Sequence, residues 1–425
     1  MRTVPLLSCL CLLATGSAVA QEVAPKLTTI HPFTCKNGRG PVAGVTVGAG
    51  GVLYGTAQYG GLTSGNCPNG CGVVYALTPP AAGVEHWTSQ VLYHFTGHAD
   101  GGWPYGGIAI GAGGVLYGTT TIRGAGYGTA FSLTPPAVAG DPWTFDTIWT
   151  FADNSNGGAY GGVTVGSTGT LYGSLFKLFG SLNIGTAFSL TPPASPGDPW
   201  TESDVSSDAI GSVALVVQVS SGTLFGTSEV GGSSGDGEIF AAVPPKEPGG
   251  AWSVTAVHSF AGGSDGNMPT AGLTLHAKGV LYGTTYSGGG SANCDNGCGT
   301  IFSLTPTAGA EGVGRAFTEA VLYAFSNGAD GANPYAGVTE GTGGVLYTVT
   351  QQGGNTSCPG GCGTIASLTP PATLGDPWTP ALVHSFTGDD GQYPTGTLVR
   401  DYTVFYGTTT RGGADGCGTV FELRL

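Results

Sequence analysis

The sequence has 425 residues, of which 80 are glycine and only 9% are charged, and its formal net charge is −14. An average soluble domain has about 7% glycine and about 25% charged residues, and 12 lysines and arginines are too few to build a basic face that binds nucleic acid or an anionic membrane. The composition therefore argues against a nucleic-acid-binding protein.

The first 20 residues are typical of a secretory signal peptide. Arg2 precedes an apolar run at 4–13, and Ala18 and Ala20 hold the small-residue positions in "GSAVA". We expect cleavage after Ala20, which would leave a secreted or periplasmic bacterial protein. The apolar run is too short to span a membrane, so no membrane insertion is expected. The alternative, a lipoprotein signal cut before Cys9, would need an unusually short apolar segment.

A motif related to "GGVLYGTT" then returns seven times, about every 59 residues. The Leu or Phe that opens its LYG run lies at positions 53, 116, 171, 224, 281, 346 and 405. A "GG-V/L-T-V" run precedes the motif in most units, a "GT-V/A/I-F-S-L-T-P" run follows it, and a "V-L-Y-x-F" run closes the unit. These short β-branched and aromatic runs, separated by Gly and Pro, predict four antiparallel strands per unit, named a to d.

Seven four-stranded sheets predict an all-β fold, a seven-bladed β-propeller, since radial repetition leaves only short strand edges. An open β-solenoid, the alternative, needs shorter coils. The chain after the signal begins with a d-like run at 27–33 and ends on a c-like run at 418–423. Pairing these runs would complete the last blade with three strands from one end and one from the other. Residues 21–425 are therefore predicted to form one closed ring.

Three C-x3-C loops lie between predicted strands b and c of units one, five and six. Cys417 holds the second cysteine position of unit seven without a partner four residues earlier, and Cys35 follows the N-terminal run. Because strand c begins beside the end of strand d, these two should meet where the ring closes. Export and an even count favour disulfides, with a thiolate zinc site as the alternative. The predicted bridges are Cys67–Cys71, Cys294–Cys298, Cys358–Cys362 and Cys35–Cys417.

A "[DN]-G-x-x-[PY]" loop links strand d of most units to strand a of the next. It begins at Asn37, Asp100, Asn156, Asp265, Asp330 and Asp390. Asp and Asn cap their own turns and Gly permits the reversal, so the pattern predicts a turn. A calcium site, the alternative, would need more oxygen ligands converging than one loop offers. No metal or cofactor is expected.

Two other repeated positions predict packing rather than chemistry. A strand-d position accepts imidazole, phenol and indole alike, which indicates a packing column and not an acid–base site; it holds His31, Tyr93, Trp149, His258, Tyr323 and His384. The entry to strand d carries tryptophan in five units, which predicts packing between sheets. These residues are Trp87, Trp143, Trp200, Trp252 and Trp378.

The b–c and d–a loops should emerge on one face of the ring, and loops on a rigid scaffold are where function is usually carried. This face is uneven, because the long b–c loops belong to units one, five and six while unit four lacks the D-G-x-x-P loop. Aromatic residues in these loops predict a surface for stacking sugars or docking a protein, with simple coverage of the turns as the alternative. They are Tyr59, Trp103, Tyr105, Tyr286 and Tyr393.

The ordered pattern "G-x-L-Y-G-T-T…G-T-x-F-S-L-T-P", as in residues 113–135 and 279–306, resembles the GloVer (Gloeo/Verruco) tandem-repeat family of exported bacterial proteins. The resemblance extends over roughly 27–425. It implies an extracellular location and a repeat architecture, and no catalytic or binding residues are carried over from it.

These observations indicate an exported, non-enzymatic binding module for a carbohydrate or a cell-surface protein. No serine nucleophile elbow, H-E-x-x-H or P-loop pattern occurs in a fitting context. One alternative is an extracellular glycan hydrolase or lyase, which would need paired carboxylates about 5–10 Å apart. Its candidates, Asp100, Asp330 and Asp390, all lie in the repeated turns. A structural surface protein is the second alternative.

Overall fold

The computed structural model describes residues 24–425 except 82, 85, 123–127, 139, 152–157, 180–181, 196, 207–212, 219–221, 248, 308–315 and 374. The predicted signal peptide and the loop residue Asn156 lie outside the described residues. In the parts that are described, no helix is long and apolar enough to cross a membrane.

The described strands form seven antiparallel sheets, six of which follow chain order. The chain opens with β1 (Lys26–Pro32). Blades 1 to 3 comprise β2 (Thr46–Val47), β3 (Leu53–Ala57), β4 (Val73–Thr78) and β5 (Thr88–His94); β6 (Ala109–Ile110), β7 (Leu116–Thr119), β8 (Thr129–Thr134) and β9 (Thr144–Thr150); and β10 (Thr164–Val165), β11 (Leu171–Phe179), β12 (Leu182–Thr191) and β13 (Thr201–Asp204).

Blades 4 to 6 repeat this arrangement. They comprise β14 (Val213–Gln218), β15 (Leu224–Ser228), β16 (Glu238–Val243) and β17 (Ser253–Ser259); β18 (Thr274–Leu275), β19 (Leu281–Thr285), β20 (Thr300–Pro306) and β21 (Phe317–Ala324); and β22 (Thr339–Glu340), β23 (Leu346–Thr350), β24 (Thr364–Thr369) and β25 (Thr379–Ser385). Short 3-10 turns join strands a and b at Ala49–Gly51, Ala112–Gly114, Ala277–Gly279 and Thr342–Gly344.

The seventh blade joins the two ends of the chain, as predicted. It contains β26 (Gln392–Pro394), β27 (Val399–Asp401), β28 (Val404–Arg411) and β29 (Thr419–Arg424). Both β26 and β27 pair with β28, so they act together as a divided strand a. The N-terminal β1 pairs antiparallel with β29 and supplies strand d, with Leu27 opposite Leu423. The all-β seven-bladed propeller with 3+1 closure is therefore confirmed.

The eight described cysteines form the four predicted disulfides, which leaves none of their thiolates for the alternative zinc site. Cys35 and Cys417 join across the closing blade with a Cα–Cα distance of 5.3 Å and 382 residues between them in sequence. The other three bridges each join residues four apart in a b–c loop; they are Cys67–Cys71, Cys294–Cys298 and Cys358–Cys362.

The glycine of the repeated LYG motif provides room for an aromatic ring on strand c. In six blades this glycine lies directly opposite the ring in the strand register; the pairs are Gly55–Tyr75, Gly118–Phe131, Gly173–Phe188, Gly226–Phe240, Gly283–Phe302 and Gly407–Phe421. Blade 6 has Thr348 opposite Ala366 instead. In blade 6 the larger of the two side chains is therefore on strand b and the smaller one is on strand c. This exchange indicates that the two opposite positions fill one packing space.

The five repeated tryptophans pack between sheets, as predicted. Each indole ring lies edge-on to a tyrosine on strand b of the preceding blade. Trp143, for example, packs on Tyr54 with 5.9 Å between ring centroids. The other pairs are Trp87–Tyr406, Trp200–Tyr117, Trp252–Tyr172 and Trp378–Tyr282. This geometry is favourable for aromatic rings and buries large apolar areas between blades.

Replacing both cysteines of the closing bridge, in Cys35→Ser/Cys417→Ser, should lower the free energy of unfolding by on the order of 5 kcal/mol, because the bridge closes nearly the whole chain. The Cys67→Ser/Cys71→Ser variant is the matched control, since the same loop-entropy argument gives only ~2 kcal/mol for so short a loop. Denaturant unfolding of both variants without reductant measures the difference. Equal losses of unfolding free energy in the two variants would contradict the claim that the ring-closing bridge stabilises the fold more than a short-loop bridge does.

Gly283→Ala should destabilise the protein by about 1–3 kcal/mol through overpacking. A Cβ atom there would lie 2.5 Å from Phe302 Cζ and 2.9 Å from Leu273 Cδ2. Adding Phe302→Ala should make the combined loss smaller than the sum of the two single losses, because it frees the shared space. Gly65→Ala, where a Cβ meets nothing within 4 Å, is the control, and a Gly283→Ala protein as stable as that control would refute the argument.

Candidate functional site

The five aromatic residues predicted to form a binding surface fall into two groups. Trp103 and Tyr393 cover the disulfide loops of the preceding blades. Trp103 Nε1 donates a hydrogen bond to the Gly70 carbonyl at 3.2 Å, and the Tyr393 hydroxyl donates to the Pro359 carbonyl at 2.7 Å. For this pair, coverage of the turns describes the structure better than a ligand surface does.

The backbone at this position explains the structural role. The residue before the loop proline has left-handed φ, for example 53° at Trp103 and 55° at Tyr393, which is uncommon outside glycine. That conformation directs the amide N–H to the carbonyl of the second loop cysteine. Trp103 N donates to Cys71 O at 2.8 Å, and Tyr393 N donates to Cys362 O at 3.0 Å. The same left-handed φ occurs at Gly40, Met268 and Asn333.

Tyr105, in contrast, lines a cavity of about 310 Å³ that is enclosed by the innermost segments of the blades. The wall includes one equivalent position from each of six blades, just before the segment that leads into strand a. These residues are Val42, Tyr105, Tyr160, Thr270, Tyr335 and Thr395. Blade 4 contributes Glu229, which follows β15. Since six blades and Glu229 converge here, the cavity lies at the centre of the ring.

Three tyrosines that line this cavity, Tyr105, Tyr160 and Tyr335, form a connected cluster with Tyr286, which lies beside it. The hydroxyls of Tyr105 and Tyr335 are 3.2 Å apart although 230 residues separate them in sequence. The Tyr105 ring meets Tyr160 edge-on at 5.4 Å, and Tyr335 meets Tyr286 edge-on at 6.2 Å. Tyr59 packs against Trp103 at 5.8 Å and so belongs to the neighbouring group by direct contact. We call Tyr105, Tyr160, Tyr286 and Tyr335 the tyrosine cluster.

The electrostatics of the cavity favour protonated hydroxyl groups. Burial raises the pKa of each tyrosine in the cluster, and the nearby Glu229 raises the pKa of Tyr105 and Tyr335 further. Burial also raises the pKa of Glu229 itself. Among the described residues that line the cavity, Glu229 carries the one carboxyl group, and no lysine, arginine or histidine accompanies it. The cavity therefore offers phenol hydroxyls and one carboxylate, and it disfavours anions.

Sequence reasoning missed Tyr160, Tyr335 and Glu229. The two tyrosines share the repeat position of Tyr105 in "YGG", "YGG" and "YAG", so an alignment of the repeats by position would have identified them. Glu229 holds the position after strand b that Tyr286 holds in blade 5. Its direction toward the axis becomes visible only in the folded ring.

The carboxylates considered for an enzyme instead cap the repeated turns, as the turn interpretation predicted. Asp100 accepts hydrogen bonds from the Thr96 amide at 2.8 Å and the Tyr93 hydroxyl at 3.1 Å. Asp330 accepts the corresponding bonds from Ser326 and Tyr323. None of the predicted carboxylate candidates lines the axial cavity.

In blade 6 a histidine replaces the tyrosine of this turn. His384 Nε2 lies 2.7 Å from Asp390 Oδ2, and the Thr387 amide donates to Asp390 Oδ1 at 2.8 Å. Burial would raise the pKa of Asp390, but the hydrogen bonds from His384 and Thr387 outweigh burial and hold that pKa below its usual value. The strand-d position therefore serves both packing and turn capping.

Solved structures resemble this ring at low sequence identity. A fungal alcohol oxidase of the AA5 family, in complex with copper, is 14% identical, with a TM-score of 0.56 over 94% of this chain and 75% of the other. A protein of unknown function from Dyadobacter fermentans DSM 18053 is 12% identical, with a TM-score of 0.45 over 95% and 99% of the two chains. The polysaccharide lyase Uly1 is 10% identical, with a TM-score of 0.49 over 91% and 90%.

No curated protein sequence matches the chain. The model of the Gloeobacter/Verrucomicrobia repeat matches residues 16–197, 125–356 and 292–425. These overlapping matches extend over the repeats, the closing blade and every segment that lines the axial cavity. This seven-bladed propeller therefore belongs to the Gloeobacter/Verrucomicrobia repeat family.

Proposed function

We propose that this protein is an extracytoplasmic binding module that takes the end of a neutral or amino-sugar chain into its axial cavity. One observation carries the proposal: tyrosines from blades 2, 3 and 6 converge with Glu229 around the cavity. A cavity of this size, about 310 Å³, falls at the lower end of the range of small-molecule sites, which is about 300–1,000 Å³.

The chemistry of the tyrosine cluster suits a sugar. A pyranose ring has apolar C–H faces and a rim of hydroxyls, and tyrosine provides both an aromatic body and a hydrogen-bonding hydroxyl. The Tyr105 and Tyr335 hydroxyls now pair with each other at 3.2 Å. A sugar hydroxyl inserted between them would exchange that single bond for two.

The ionisable groups of the cavity wall suit the binding of a ligand better than its hydrolysis. A glycosidase of the common kind uses two carboxylates about 5–10 Å apart, whereas Glu229 is the single carboxylate among the described residues of the wall. Tyrosine as a nucleophile or base would need a lowered pKa, but burial raises the pKa of both Tyr105 and Tyr335. These hydroxyls are better suited to donating hydrogen bonds to a ligand.

The four disulfides support a location outside the cytoplasm. Disulfides persist in oxidising compartments and are rare in reducing ones. An extracytoplasmic protein would meet polysaccharides and their fragments directly, which is consistent with a carbohydrate ligand.

Tyr335→Ala should weaken the binding of a neutral oligosaccharide at least ~10-fold, because it removes a central aromatic contact and the partner of the Tyr105 hydroxyl. Thermal shift against a panel of neutral, amino and sulfated oligosaccharides identifies the ligand class, and calorimetry measures affinity. Tyr402→Ala is the control, since Tyr402 is 85% exposed in the turn after β27. A panel with no response, or equal loss in both variants, would overturn the proposal and favour protein docking or a structural role.

Glu229→Gln should weaken the binding of an amino-sugar oligosaccharide and leave the affinity for its N-acetylated counterpart nearly unchanged. The carboxylate faces a cavity without a basic side chain in its described wall, so a ligand ammonium group would be its counterion. Affinities of both oligosaccharides for both proteins, measured at low and at moderate salt, give the comparison. Equal effects on the two ligands would show that the Glu229 charge does not select between them.

A further inference from the structure

A second cluster of chemically active side chains lies far out on the ring, where the outermost strands of blades 4 and 5 meet. His258 is on β17, Asp265 is in the loop that follows β17, and Glu319 is on β21. His258 Nε2 and Asp265 Oδ1 are 3.3 Å apart, and one ligand atom from each of the three residues lies within 4.8 Å of the others. This cluster belongs to strand d, whereas the axial cavity is lined at strand a.

Local contacts orient the three side chains toward one another. The Ala261 amide donates to Asp265 Oδ2 at 2.7 Å, which leaves Oδ1 to face the histidine. The His258 ring is held edge-on to Phe260 with 4.7 Å between centroids. His258 Nε2 and Glu319 Oε1 are both buried and make no well-aligned hydrogen bond to the described residues, although His258 Nε2 approaches Asp265 Oδ1 at 3.3 Å. Buried polar groups are normally satisfied, so Glu319 Oε1 has room for a ligand that it could share with the histidine–aspartate pair.

The other blades provide an internal comparison. The equivalent capping pairs close directly, at 2.7 Å for His384–Asp390, 3.1 Å for Tyr93–Asp100 and 3.0 Å for Tyr323–Asp330. The 3.3 Å separation of His258 and Asp265 exceeds all of these. Two ligands on a tetrahedral zinc ion with bonds of about 2.0–2.1 Å are themselves separated by about 3.3 Å. The longer pair is therefore compatible with two ligands that share one ion, as well as with a direct ion pair.

Glu319 is the residue that distinguishes this junction between blades. Its register position, opposite the last leucine of strand c, holds Phe145 in blade 2, Pro380 in blade 6 and Leu27 in blade 7. Blade 3 has Glu202 there. Its Oε1 and the indole Nε1 of Trp149 in the preceding blade likewise lack a well-aligned hydrogen bond, but an indole offers no ligand for a metal ion, so the histidine–carboxylate pair is what sets the blade 4–5 junction apart. Among the described junctions, a carboxylate meets a histidine–carboxylate pair only between blades 4 and 5.

We infer that His258, Asp265 and Glu319 bind a divalent transition-metal ion, with zinc as the best match. One imidazole nitrogen and two carboxylate oxygens suit zinc and similar ions, whereas calcium prefers six to eight oxygen ligands. The ion would give Glu319 Oε1 a partner, bind His258 Nε2 and neutralise the two adjacent carboxylates. Because its ligands come from two blades, it would join blade 4, whose described residues include no disulfide, to blade 5.

The test uses the untagged, oxidised chain after treatment with EDTA and dialysis. One equivalent of Zn²⁺ should bind in calorimetry, and Tm should rise with the logarithm of the free Zn²⁺ concentration once that concentration exceeds Kd. Co²⁺ should compete for the site and give the visible absorption bands of a low-coordinate nitrogen and oxygen environment. Glu319→Gln should reduce zinc affinity at least ~10-fold.

Glu202→Gln and His384→Asn are the matched controls, because they alter the equivalent position and the equivalent capping pair at other junctions, and both should keep wild-type affinity. The Tm of metal-free Glu319→Gln separates a ligand effect from unfolding, and a His258→Asn variant gives a second removal of one ligand. Absence of stoichiometric binding, full binding by folded Glu319→Gln, or equal losses in the controls would each overturn the inference.

Discussion

The dependence of every blade on its two neighbours is the constraint from which the rest of this structure follows. A four-stranded sheet of this length cannot bury both faces alone, and here the missing cover comes from the next sheet in the ring. Trp143 of blade 2 on Tyr54 of blade 1 is one instance of a contact made at five junctions. Such a series is complete only when the last blade meets the first. The pairing of β1 with β29 and the Cys35–Cys417 bridge provide that closure.

Closure also creates the axial cavity, because seven innermost strands cannot approach the same axis. Threonines of strand b hold these strands in place by donating hydrogen bonds to the next blade. Thr56 donates to Gly106 O at 2.8 Å and Thr119 donates to Gly161 O at 2.7 Å. These carbonyls belong to the residues that directly follow Tyr105 and Tyr160. The contacts that hold the blades together therefore also position the tyrosine cluster.

Repetition separates structural positions from candidate functional ones in this chain. Positions with one role in most blades, such as the capping aspartates and the entry tryptophans, stabilise the fold. The candidate sites arise where a blade departs from the pattern. Glu229 comes from the blade that lacks the common loop, and Glu319 holds a position that is aromatic, aliphatic or proline in most other blades. A repeat protein can change such a residue without rebuilding its scaffold, since each blade keeps its own strands and turns.

The sequence by itself determined the number of blades, the strand order, the 3+1 closure and the disulfide pairs. These follow from a local period and from antiparallel adjacency, both of which are written along the chain. Only the tertiary structure decided which aromatic side chains converge. Trp103 and Tyr105 lie two residues apart in one loop, yet a left-handed turn at Trp103 holds it on a disulfide loop while Tyr105 reaches the axis. Tyr105 of blade 2 meets Tyr335 of blade 6 because closure of the ring brings their blades to one axis. His258 approaches Glu319 because neighbouring sheets pack face to face, and no local pattern encodes either contact.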